Sequence, residues 1–124
     1  MSRNVELTAV ELVLKLSGLT SLAALHGSIH IPFREIREVS TLPYHHPAGA
    51  VRFAGTAVPG TGIMEGSFVH GTSQFFLSFE HPDRTITLDG TFHIDNQAYE
   101  KIVFEVPNPE QLQKLLVQKC PHLQ

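Results

Sequence analysis

Val10, Leu12, Leu14 and Leu16 fall at every second position, with Glu11 and Lys15 between them. A two-residue period puts the four aliphatic side chains on one face of an extended chain, so residues 10–16 read as a half-buried strand. In the following "SGLTSLAALHGS" the spacing changes. Leu19, Leu22, Ala23 and Leu25 recur at helical intervals, Thr20 or Ser21 is placed to cap, and Gly27 stops the run, which predicts a short helix. Ile29 and Ile31 then alternate with His30 as far as Pro32, which lacks the N–H that a central strand uses. With Ile36 and Val39 beyond it, two short strands are expected to meet at "PFRE".

The pattern dissolves between residues 41 and 61. There Pro43, Pro47, Gly49, Gly55, Pro59 and Gly60 separate few apolar residues, and the stretch reads as a long loop. Strand patterning returns over 63–69, 74–79 and 84–88. Phe75, Leu77 and Phe79 share one face, and Pro82 and Asp83 stand in turn positions of "HPDR". Asp89-Gly90 is a two-residue turn signal. Ile102, Phe104 and Val106 line one face of a closing strand. In "PNPEQLQKLLVQK", Asn108 is a helix cap, Pro109 fits the first helical position and Gln111 is its capping-box partner. Leu112, Leu115 and Leu116 form the apolar stripe, and Lys114 and Lys119 sit late in the helix, where its dipole favours them.

At 124 residues the chain is expected to be one domain, 1–124, with a core over about 10–118. No apolar run reaches the roughly 20 residues that cross a bilayer as a helix. Glu6 and Glu11 interrupt the N-terminal stretch that a signal peptide would keep apolar, so a cytoplasmic location is the expectation. Cys120 is the sole cysteine, which removes intrachain disulfides and cysteine-based zinc sites. A net charge of -3 with scattered Lys and Arg argues against general affinity for nucleic acid or anionic membrane.

Several short strands ending in an amphipathic helix describe a strongly bent antiparallel sheet covered by that helix. "IHIPFREIREV" at 29–39 resembles the second-to-third strand junction of bacterial pleckstrin-homology-like (PH-like) domains. "RFAGTAVPG", "FFLSFE" and "YEKIVFEVPNPEQLQKLL" are similar to an uncharacterised group of these proteins, and the likeness spans about residues 10–117. The resemblance implies a mainly β fold: a PH-like antiparallel barrel of about seven strands, with a C-terminal α-helix and a short helix after the first strand. It brings no catalytic residues with it.

The glycine stretch "RFAGTAVPGTGIMEGSF" is the natural place to look for chemistry. A P-loop or dinucleotide fingerprint needs a helix opening directly after the glycines, and the P-loop also needs Gly-Lys-Ser/Thr; Gly62 leads instead into "IMEGSF". The glycines read as turn and packing residues, with Gly66 marking a bulge or close approach. Arg52 is an anion anchor, the partner of a carboxylate such as Glu65, or a hydrogen-bond donor to loop carbonyls. Arg52, Gly55, Gly60 and Gly62 are thus the candidate ligand-binding residues. The first interstrand loop carries no Lys or Arg, which disfavours phosphoinositide binding there. Eight histidines show no metal-ligand spacing, and Ser67, Ser73, Ser78, Asp83, Asp89 and Asp95 show no catalytic pattern. The expectation is a non-catalytic module without cofactor or metal that works through protein contacts, self-association among them. The alternative is a small-ligand or anionic-lipid site beside Arg52.

Overall fold

A computed structural model describes residues 2–17, 28–45, 51–58, 63–94 and 96–123. Among them are nine strands: β1 (Ser2–Leu7), β2 (Glu11–Ser17), β3 (Ser28–Pro32), β4 (Ile36–Ser40), β5 (Val51–Val58), β6 (Ile63–His70), β7 (Ser73–Phe79), β8 (Thr85–Ile94) and β9 (Gln97–Glu105). One α-helix, α1 (Pro109–Lys119), follows them, and short 3-10 turns occupy Phe33–Glu35, Pro82–Arg84 and Pro121–Leu123. The chain is mainly β, as its patterning predicts. The described strands form two sheets in place of the expected single barrel: β1-β2-β3, and β4-β8-β9-β7-β6-β5. All pairs are antiparallel except β7 with β9. The helix expected at residues 20–26 lies outside the described residues.

The alternation that opens the sequence becomes β2, whose Leu12, Leu14 and Leu16 are buried with Ile29 and Ile31 of β3. They join Ile86, Leu88, Ile102 and Phe104 from the inner face of the large sheet. Leu112 and Leu116 of α1 close this core, with Cys120 beside them. Burial pushes the Cys120 thiol above its ordinary pKa, so the thiolate is disfavoured. Asn108 caps the helix by accepting the Gln111 N–H at 3.2 Å. The predicted apolar stripe is narrower than expected, because Leu115 is 40% exposed.

On the opposite face of the large sheet, Phe68, Phe75, Leu77, Phe79 and Val103 form a second cluster, against which Tyr44 packs. The Tyr44 ring lies 5.6 Å from Phe79, centroid to centroid. Burial pushes its phenol up to about 12. Strands β7 and β9 are therefore covered on both sides, which explains their dense apolar composition.

Three expectations are corrected. The long loop over 41–61 contains β5, which pairs with β6 from Val51↔Val69 to Val58↔Ile63. Its glycine sits opposite a glycine, Gly55↔Gly66, with one extra residue accommodated between Arg52 and Ala54. Gly66 takes φ 122°, and the irregularity of this pair lies on β5 and not at Gly66. Asp89-Gly90 makes no turn, since β8 runs straight through it. Its register against β9 shifts between Asp89 and Phe92, and a Cβ at Gly90 would collide with the Glu35 carbonyl. The turn comes later, where Asn96 at φ 66° reverses the chain between Ile94 and Gln97. Finally, the fold starts earlier than the expected core, with β1 pairing along β2 from Ser2↔Ser17 to Leu7↔Leu12.

Candidate binding site

Arg3 stands on β1 and reaches across to the large sheet. Its Nε donates to Ser78 Oγ at 2.9 Å, its Nη1 to Glu80 Oε2 at 3.3 Å, and its Nη2 forms an ion pair with Glu65 Oε1. Ser78 Oγ in turn donates to Glu65 Oε2 at 2.7 Å. Glu65 and Ser78 are register partners on β6 and β7 and face the inner core, so the strand pairing itself places the acceptor and the hydroxyl side by side. Glu65 is fully buried. Burial raises its pKa above the usual carboxylate value, against the opposing pull of Ser78 and Arg3.

The Glu65 carboxylate is thus held by Arg3, a partner the sequence reading did not assign to it. Ser78 is likewise used on both sides within the cluster. Its proton goes to the Glu65 carboxylate and its lone pair accepts from the Arg3 guanidinium.

Beside Arg3 a cleft of about 340 Å³ runs between Glu80, Arg84 and Glu105. Glu105 accepts the backbone N–H groups of Glu80 at 2.7 Å and His81 at 2.9 Å, and its other oxygen lies 3.0 Å from His81 Nδ1. Burial works against its charge, but these hydrogen bonds prevail and hold its pKa below the ordinary value.

Continuous with that cleft, a groove of about 360 Å³ separates β1 from α1, lined by Val5, Leu7, Val106, Leu112 and Leu115. Its β1 wall is the edge of the small sheet. The Thr8 N–H donates to the Glu11 carbonyl at 2.9 Å, which fixes Thr8 and Glu11 as a hydrogen-bonded pair. Antiparallel alternation then directs the backbone of Glu6 and Asn4 toward β2 and the backbone N–H and C=O of Arg3, Val5 and Leu7 toward the open side. The side chains of Val5 and Leu7 pack against the core, so the edge offers backbone polarity above an apolar floor.

A third depression, about 360 Å³, lies on the outer face of the large sheet among Glu38, Tyr44, Phe75, Asp89 and Lys101. Lys101 Nζ bonds Asp89 Oδ1 at 2.7 Å and lies 5.9 Å from the Phe75 ring centroid, so its charge is already matched.

Of the candidate ligand-binding residues, Arg52 and Gly55 lie on β5, the far edge of the large sheet, while Gly60 and Gly62 fall outside the described residues. The groove between β1 and α1 uses β1, to which the sequence reading assigned nothing. Among the described residues no group of three His, Cys, Asp or Glu is placed to hold a metal ion. His30 and His81 pair with Glu11 and Glu105, and His122 lies 2.8 Å from the Ile36 carbonyl. No described helix is long and apolar enough to cross a membrane. No protein-family model, curated protein or solved structure matches the chain.

Proposed function

We propose that the chain is a non-catalytic PH-like binding module that acts through protein contacts, with the β1 edge and the α1 groove as its docking surface. The observation that carries the reading is the outward backbone of Arg3, Val5 and Leu7 above a floor of Val106, Leu112 and Leu115. An extended segment laid there gains main-chain hydrogen bonds from the edge and buries alternate side chains against the helix, which is how strand addition combines affinity with selectivity. The mainly β core closed by a C-terminal helix supports the PH-like reading.

A library of random peptides displayed on phage tests the proposal. Enriched sequences are expected to carry apolar residues at alternate positions and to lose about tenfold or more in affinity when Leu115 is replaced by Glu. Failure to enrich any peptide, or binding indifferent to Leu115→Glu, overturns it.

A further inference from the structure

The two sheets have four edges, and they are not equivalent. β3 ends in Pro32, β4 has a register shift between Ile36 and Glu38, and β5 has one between Arg52 and Ala54. Prolines and bulges are the devices by which proteins prevent edge-to-edge pairing. β1 has neither a proline nor a glycine, and its register with β2 is unbroken over six residue pairs. Its one inward charge, Arg3, is satisfied by Glu65, Ser78 and Glu80 and leaves no unpaired cation at the edge.

We infer that the occupant of this edge is the β1 strand of a second copy of the chain, paired antiparallel about a two-fold axis through Val5. The inference rests on the reading of β1 and the α1 groove as a docking surface. Outward-facing residues recur at 3, 5 and 7, so a dyad at Val5 makes hydrogen-bonded pairs of Val5 with Val5 and of Arg3 with Leu7, twice. The intervening positions bring Asn4 opposite Glu6, and no like charges face each other. Glu6 already holds Lys15 at 2.6 Å within its own hairpin, so its charge is balanced on the solvent side. The arriving strand places its half-buried Val5 and Leu7 on the same face as those of its host, toward Leu112 and the exposed Leu115. One surface thus provides both the inserted strand and the groove that receives it, which is the condition for a closed isologous dimer. Two three-stranded sheets become one of six.

Sedimentation equilibrium over a wide range of protein concentration reads the outcome. The unmodified chain is expected to show a monomer-dimer equilibrium. Val5→Pro deletes an outward N–H without touching the ladder to β2, and Leu115→Glu charges the groove at a position already exposed; each is expected to weaken dimerisation about tenfold or more. Circular dichroism establishes that the variants fold, and Leu115→Glu stands alone if proline does not. A chain monomeric at all concentrations, or a dimer that Leu115→Glu leaves intact, overturns the inference. A monomer that still captures displayed peptides through Leu115 overturns only the second copy and retains the docking surface, whereas a monomer that captures none overturns both.

Discussion

Arg3 and Glu65 are 62 positions apart in sequence and form an ion pair across the seam between the two sheets, with side chains 7% and 1% exposed. A pair this deeply buried is a specific link between sheets more than a source of net stability, because removing two charges from water offsets most of their attraction. Breaking it from one side is another matter. Glu65→Ala leaves the guanidinium with only Glu80 and Ser78 and is expected to destabilise the fold by about 3–5 kcal/mol. Arg3→Met combined with Glu65→Leu is expected to cost much less than the sum of the single changes. Urea denaturation of the four proteins of this cycle measures the coupling.

Two of the perturbed carboxylates, Glu65 and Glu105, give acid stability opposite signs. Glu65 binds its proton more tightly folded than unfolded, so its contribution favours folding at low pH and is lost as pH rises through its raised folded pKa. Glu105 is depressed, so its contribution is present above the unfolded value and is lost as pH falls through the folded one. Glu105→Gln is therefore expected to lower stability at neutral pH by about 1 kcal/mol and to converge with the parent in acid. Glu65→Gln is expected to flatten the decline on the other side. Denaturation midpoints from pH 3 to pH 7 read both, and a Glu105→Gln deficit that grows in acid contradicts the assignment.

Gly90 is required by contact, not by its backbone angle. Any Cβ there meets the Glu35 carbonyl and approaches Phe92 Cζ to 2.9 Å. Gly90→Ala is expected to cost about 1–3 kcal/mol by overpacking, with near-normal strand content by circular dichroism. Gly71 provides the comparison. It has open space around it, and its φ of 64° confines the penalty of Gly71→Ala to backbone strain.

Neighbouring leucines of α1 differ sharply in their surroundings. Leu116 is fully buried and Leu115 is 40% exposed. Leu116→Ala is expected to cost about 2–5 kcal/mol, against less than about 0.5 kcal/mol for Leu115→Ala. Asn108→Ala, which removes the helix cap, falls between them at about 1 kcal/mol. Thermal unfolding orders the three, and a large effect of Leu115→Ala on the isolated monomer would place that residue in the core instead of the groove.

Where one face is apolar and the other polar, periodicity is enough to read an element. That is why β2, β7, β9 and α1 emerge from alternation and capping, down to Asn108. β1 escapes because Arg3, Asn4 and Glu6 surround only Val5 and Leu7, and what anchors it is an ion pair to a residue on β6. β5 escapes because Gly55 breaks its pattern, and its place in the sheet is set by pairing with β6, where Gly55 meets Gly66. Asp89-Gly90 has the composition of a turn, yet the glycine answers to a carbonyl from residue 35. The groove between β1 and α1 is hidden for the same cause: its two walls, Val5 and Leu112, are brought together only by the fold.

The strand order of the large sheet also bears on how the chain reaches its native state. β9 lies between β7 and β8, pairs parallel with one and antiparallel with the other, and sends Ile102 and Phe104 into one cluster and Val103 into the other. It is also the last of the nine strands to be synthesised. Until residues 97–105 have emerged, no strand pairing among the described residues joins β5-β6-β7 to β4-β8, and neither hydrophobic cluster is complete. A sheet whose middle arrives last must collapse around non-local pairings, which predicts slow, strongly cooperative folding with little stable structure in the nascent chain.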